Sequence, residues 1–195
     1  MSSELTTNDP KDKLQLAQSY ASSDFVPEGF RRKPGNTLIA MDIANRSGSP
    51  VLEVMNNIFI DRSGKLGFQT PYAISMANRI GPFKHPIDWK TEKKENDILV
   101  TAFGVLKSND QEVKSPPISY QKVKEAGWMS SSKGLKAVYV CQPIQMLKYK
   151  SALMLIRAYC SEVLFGMRTE LDTKIIKTDK VNRAIDNMNQ QAEEK

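Results

Sequence analysis

This 195-residue chain has one histidine, two cysteines and no long apolar run, and each scarcity removes a class of chemistry. With His85 alone, no histidine-rich metal site can form, and no Ser-His-Asp triad can be made elsewhere in the chain. Its place before Pro86 marks it as a loop residue. Cys141 and Cys160 are too far apart for a Cys-x-x-Cys metal or redox motif and read as small core residues of a reducing compartment. No uninterrupted apolar run approaches membrane-spanning length, and the opening Met-Ser-Ser-Glu-Leu-Thr-Thr-Asn-Asp-Pro lacks the apolar centre of a secretory signal. A cytoplasmic protein with no membrane partner is expected. Gly64-Lys65 imitates the end of a phosphate-binding P-loop, but position 59 is Phe where the first glycine belongs, and position 66 is Leu where a Mg-binding hydroxyl belongs. ATP-driven chemistry is therefore not expected.

What the chain does have is a local excess of positive charge. Its formal net charge is +6, and residues 120–157 carry seven cations (Lys122, Lys124, Lys133, Lys136, Lys148, Lys150, Arg157) against Glu125, a sum of +6 for that stretch alone. The remaining residues balance. A basic excess gathered in one segment marks contact with a nucleic acid or another anionic surface.

Along the chain, residues 1–23 read as a flexible N-terminal segment with a short helix over Lys13–Ser22, residues 24–172 as the core domain, and 173–195 as a polar tail. Asn36 or Thr37 caps a helix through Asn45 with Leu38, Met41 and Ile43 inward, and Gly48 ends it. Ser49-Pro50 restarts a helix with Val51, Val54 and Met55 inward. A hairpin follows over Asn57–Ile60 and Lys65–Gln69, then a helix from Thr70-Pro71 to Gly81 with Ile74, Met76 and Ile80 apolar. Ile87–Lys94 and Asp97–Lys107 read as strands, and Val113–Ile118 as a third one interrupted by Pro116-Pro117. Ser119 caps a short helix ending at Gly127, and Trp128–Leu135 is a Ser/Gly/Lys loop before a long helix. With no sustained β-α-β alternation, the fold class is α+β: a small antiparallel sheet, hairpin plus meander, packed against a long central C-terminal helix and shorter N-terminal helices.

That long helix, residues 143–166, places Lys150 and Arg157 seven positions apart, hence within about 20° of each other and about 10 Å apart along the axis. Periodicity sets Met146, Leu147, Leu153 and Met154 beside them, with a polar face around Lys148, Ser151 and Tyr159. Two readings fit. The stems pack on the core while the heads reach water or an internal carboxylate, or the pair meets an anionic ligand such as a phosphate backbone. The preceding Trp128, Ser130, Ser131, Ser132, Lys133 and Lys136 favour the second, since hydroxyls, cations and an aromatic ring suit phosphates and bases. Arg79, Arg62 and Lys65 are further cations that could join the patch. Asp88-Trp-Lys90 and Glu92-Lys-Lys94 imitate the acidic-x-Lys element of metal-dependent nucleases, yet alternating charge is also the pattern of a solvated strand, which is the preferred reading.

Taken together, Trp128 … Pro143-Ile-Gln-Met146-Leu147-x-x-Lys150 … Arg157 … Val163-Leu164-Phe165-Gly166-Met167 resembles the C-terminal half of the phage RecT/Bet-like single-strand annealing proteins. Upstream, Asn45-Arg-Ser-Gly-Ser-Pro50 … Met55-Asn-Asn-Ile58-Phe-Ile … Gly64-Lys65 and the helix to Arg79 are similar to that family's small-residue segment, Asn-Ile strand and Gly-Lys turn. Phe103-Gly-Val … Ser119 to Gly127-Trp128 fits its strand and Ala-Gly-Trp element, so the likeness spans about residues 37–170. Position 150 is Lys where the family commonly has Arg, a point charge in place of a bidentate fork. The resemblance implies a non-enzymatic, ATP-independent protein of a phage or prophage recombination system in a bacterial cytoplasm. Such a protein binds single-stranded DNA and pairs it with a complementary strand in an oligomeric ring or filament. DNA-binding residues would be Lys150, Arg157, Lys133, Lys136, Trp128, Lys148, Arg79 and Lys65. No cofactor is expected, beyond Mg2+ modulating the DNA contact without a protein site. Partners would be single-stranded DNA, the annealed duplex, further copies of the chain, and a phage exonuclease or host single-strand-binding protein. The readings from other classes are a metal-dependent nuclease and a basic phage adaptor or structural protein.

Overall fold

Proline begins the first described helix, as it begins or adjoins the start of most of the described helices. In the computed structural model, which describes residues 9–60, 64–131, 134–135 and 141–171, α1 (Pro10–Ser22) starts on Pro10 with the Asp9 carboxylate accepting from Lys11 N. α2 (Pro34–Ser47) starts on Pro34, and α3 (Val51–Asn57) directly follows Pro50. The ring presets a helical φ, and its missing N–H would have been unpaired there in any case. Gly48 closes α2 in the left-handed region at φ 62°, where a side chain would be strained. The described residues up to Ile58 form one compact body, in which α2 packs on α1 and on α3. The buried stripe of α2 is Thr37, Ala40, Ile43, Ala44 and Ser47, so small residues set the close approach, and the expected Leu38 and Met41 are only half-buried. The helix also begins before Asn36, because Pro34 fixes its start.

The described residues from Phe59 onward form the second body. β1 (Ile58–Ile60) and β2 (Leu66–Phe68) are the expected hairpin strands; its turn residues Asp61 and Arg62 lie outside the described residues. α4 (Thr70–Ile80) follows, burying Tyr72, Ala73, Ile74, Met76 and Ala77. Ile80, expected inward, is exposed because it falls in the last turn beyond the packed stripe. The meander is β3 (Asp88–Lys94) and β4 (Asp97–Val105), paired antiparallel from Asp88↔Phe103 to Lys94↔Asp97.

The third meander strand is split into β5 (Glu112–Lys114) and β6 (Ile118–Ser119), both antiparallel to β4. Pro116 and Pro117 cannot donate to the ladder, and Ser115 fills part of the gap: its Oγ accepts from Ala102 N at 3.0 Å while its own N donates to Ala102 O at 2.8 Å. α5 (Tyr120–Glu125) then begins at the Ser119 cap, whose Oγ accepts from Lys122 N. Gly127, at φ 69°, ends it in a Schellman turn: Gly127 N donates to Lys124 O and Trp128 N to Val123 O. The segment expected as a plain loop contains two short paired strands, β7 (Ser130–Ser131) and β8 (Gly134–Leu135). The long helix, α6, spans Pro143–Tyr159, and Cys160 leads into a 3-10 turn over Ser161–Leu164 that buries Val163 and Leu164. The expected continuation of α6 to 166 is overridden by this packing, since the turn seats against α4. β9 (Arg168–Thr169) finally joins β2 in parallel, completing the sheet order β1-β2-β9.

The second body therefore is an α+β unit in which α6 lies across β4 and against α4. Its core beside the meander comprises Val100, Ile118, Val123, Met129 and Leu147, with Trp89, Trp128, Ile144, Met146 and Met154 packed half-buried around it. Cys160 belongs to the core, and burial, with the Glu162 charge adding, pushes its thiol up to about 12. Cys141, expected in the core as well, is exposed just before α6. Because the thiolate is the reactive form, iodoacetamide treatment of the folded protein is expected to alkylate Cys141 and spare Cys160, as read by peptide mass spectrometry.

Candidate nucleic-acid interface

The meander and α5 are locked together by one carboxylate. Asp97 accepts from Ser119 Oγ at 2.7 Å, from Ile98 N at 2.8 Å and from Gln121 N at 3.0 Å, tying the β3–β4 turn to the first turn of α5. The Ser119 hydroxyl, followed by the backbone donors, holds the Asp97 carboxyl below its ordinary range against the opposing effect of desolvation. A lowered folded-state value stabilises the fold above the unfolded value, near pH 4, and that contribution is lost as pH falls through the folded value. Asp97→Ala is expected to cost about 1–2 kcal/mol at pH 7 and to flatten the acid limb below pH 4, in urea melts compared across pH.

With α5 fixed in this way, its Schellman turn delivers Trp128 to the flank of α6. Lys150 Nζ sits over the Trp128 ring at 4.5 Å from the centroid. On the opposite flank, the edge strand β3 delivers Trp89, whose Nε1 donates to Lys148 O at 2.9 Å while Lys148 Nζ lies 5.4 Å from the ring centroid. Two residues apart on a helix means about 160° around the axis, so the two lysines leave on opposite sides and each meets one of the chain's two tryptophans. Sequence reasoning misses Trp89 as a site residue. Its one signal is an aromatic among charged residues on an otherwise exposed strand.

Around α6, the buried side chains Leu147, Ser151, Leu155, Ala152, Ile156 and Leu153 sweep through about 240°, an arc that also carries the half-buried Lys148 and Tyr149 and, in the end turns, the exposed Gln145, Ala158 and Tyr159. The remaining arc carries Met146, Lys150, Met154 and Arg157 on one open line, with Arg157 exposed and the other three half-buried. Lys150 and Arg157 thus share a face, as their spacing requires. Leu147 and Leu153, expected on that face, lie buried at its borders. Ser151 is also corrected: it is fully buried, because its Oγ donates to Lys148 O at 3.0 Å and so needs no water. Both cations accordingly lie along the helix's open edge, outside the buried arc.

The other expected residues are dispersed. Arg79 is exposed in the last turn of α4, which packs on α6. Lys65 stands before β2, in a separate cleft. Lys133 and Lys136 lie outside the described residues. Asp88, Lys90, Glu92 and Lys94 project from β3 on the sheet face away from α6, where Lys90 pairs with Glu92 at 3.0 Å and holds its carboxyl below the usual range, as the solvated-strand reading requires. Among the described residues, no group of three or more His, Cys, Asp or Glu is placed to hold a metal ion, and no helix is long and apolar enough to cross a membrane. Compared with known proteins, the chain matches no family model, no curated protein and no solved structure.

Proposed function

We propose that this chain is an ATP-independent single-strand DNA annealing protein of the RecT/Bet-like kind, and that the open line of α6 is part of its DNA-binding face. One observation carries the reading: α6 buries Leu147, Ser151, Ala152, Leu155 and Ile156 on its packed side, and Lys150 and Arg157 share a line on the other side with the half-buried Met146 and Met154. Packing on the buried sides fixes the backbone beneath both cations, so little ordering entropy is lost on binding. Their separation of about 10 Å fits phosphates one or two nucleotides apart on an extended strand, and the methionines offer apolar surface to sugars and bases. Trp128, held under Lys150, adds an aromatic edge to the same face.

Annealing asks for this division of labour. Two strands repel through their phosphates and recognise each other through their bases, so the protein must neutralise the first and leave the second free. Contacts by cations on a rigid line do so without reading sequence. Assembly into a ring or filament, implied by the resemblance, would repeat the line along a strand.

The test is fluorescence anisotropy of labelled single-stranded oligonucleotides of differing sequence, titrated at about 50 and 200 mM salt. Binding that ignores sequence and weakens steeply with salt is expected. Absence of binding at low salt would overturn the reading in favour of a protein-contacting adaptor, and metal-dependent loss of the labelled strand would turn it toward a nuclease.

A further inference from the structure

Parallel pairing of β2 with β9, Gly67 opposite Arg168 and Phe68 opposite Thr169, brings the entrances of two distant strands to one end of their sheet. Gly64 and Lys65 precede one strand, and Phe165, Gly166 and Met167 precede the other. Between them lies an open cleft of about 500 Å³ whose described lining includes Gly64, Lys65, Phe165, Gly166, Met167 and Arg168, two of them cations. A cleft of that volume admits a nucleotide-sized group.

The walls are preformed. A Cβ at Gly67 would lie 2.5 Å from Phe59 Cζ and 2.9 Å from Arg168 O, so glycine is what lets β9, and Arg168 with it, come this close. The facing turn is pinned by Phe165 N donating to Glu162 O at 3.0 Å and Met167 N to Leu164 O at 2.7 Å. Within it Phe165, a residue of the cleft lining, takes φ 48°, a left-handed conformation that a phenylalanine rarely adopts.

We propose that this cleft is a phosphate subsite distinct from the α6 line, taking one nucleotide unit with its phosphate between Lys65 and Arg168 and its sugar or base against Phe165 and Met167. Two cations supply the charge-assisted contacts of a phosphate, and an aromatic ring with a thioether supplies the stacking surface. That the phosphate belongs to a DNA strand rests on the function proposed above; the cleft's chemistry would equally take a free phosphate or mononucleotide.

The experiment measures oligothymidylate affinity across a salt series for the native chain, Lys65→Ala and Arg168→Ala. Amide NMR spectra of the native chain and Arg168→Ala under titration with inorganic phosphate and thymidine monophosphate accompany it. Each substitution is expected to weaken DNA binding severalfold and to reduce the slope of log K against log salt by about 0.7. Phosphate and thymidine monophosphate should move the Gly64 and Gly166 amides in the native chain and not in Arg168→Ala. If Arg168→Ala fails to fold, as circular dichroism would report, Lys65→Ala decides, since Lys65 is exposed and its loss leaves the core intact. Native DNA binding with both slopes unchanged overturns the subsite as a DNA contact and leaves the proposed function standing. Native failure to bind DNA, together with Arg168-dependent amide shifts, supports the subsite with a free phosphate as its ligand and removes the proposed function. No shifts and no slope change overturn the subsite under either source.

Discussion

Replacing Lys150 and Arg157 together by glutamate is expected to weaken single-strand binding on the order of 100-fold or more while leaving the fold nearly intact. Both positions lie on the open line of α6, so a reversed charge meets the incoming phosphates directly, and like-charge juxtaposition costs several kcal/mol. The alanine pair is the gentler version: with two cations fewer to neutralise phosphates, the salt slope should fall by about 1.4. Arg157 is exposed and Lys150 half-buried, and the contact of Lys150 with the Trp128 ring, worth about 0.5–1 kcal/mol at such a site, is among what the substitution removes. A melting curve beside the binding isotherm separates the two effects.

The second large effect lies on the other side of the same helix. Leu155→Ala is expected to cost about 2–5 kcal/mol in urea unfolding, since the side chain is fully buried where α6 crosses the meander and α4, and its removal leaves a cavity in a packed interior. Met154→Ala, one position earlier on the open line, should cost roughly half as much or less, because its surface is only partly removed from water. Comparable losses at the two positions would mean that α6 is rotated from the register described above, and the cationic line with it.

Much of this arrangement is written locally in the sequence. Pro71 and Pro143 mark helix starts because the ring presets φ, and Gly48 and Gly127 mark helix ends because only glycine enters the left-handed region freely; the starts at Pro10 and Pro34 lie earlier than the expected Lys13 and Asn36 or Thr37, although the same ring fixes them. The Glu95-Asn96 turn and the split around Pro116-Pro117 follow from turn chemistry and missing donors. The shared face of Lys150 and Arg157 follows from helical spacing alone.

What stayed hidden depends on tertiary contacts. β9 is two residues long and pairs with a strand far upstream, so no local periodicity announces it, and Arg168 could not be placed in one cleft with Lys65. Ser151 looks polar but satisfies itself on its own helix, which permits full burial. Tyr159-Cys160-Ser161 carries no helix breaker, and α6 ends there because Val163 and Leu164 bury themselves in a tighter turn. Helical spacing already separates Lys148 from Lys150, but the tryptophan that each one meets, Trp89 or Trp128, is delivered by a distant strand or turn.

If this chain pairs complementary strands through the open line of α6, its effect must appear in the rate of pairing and must depend on that line. The most direct measurement is the rate at which two labelled complementary oligonucleotides anneal, followed by energy transfer at low salt with no nucleotide present. Strong acceleration by the native chain is expected, and none by the Lys150→Glu, Arg157→Glu variant. A native chain that leaves the rate unchanged, or a folded variant that accelerates it as well as the native chain does, would contradict the proposed function.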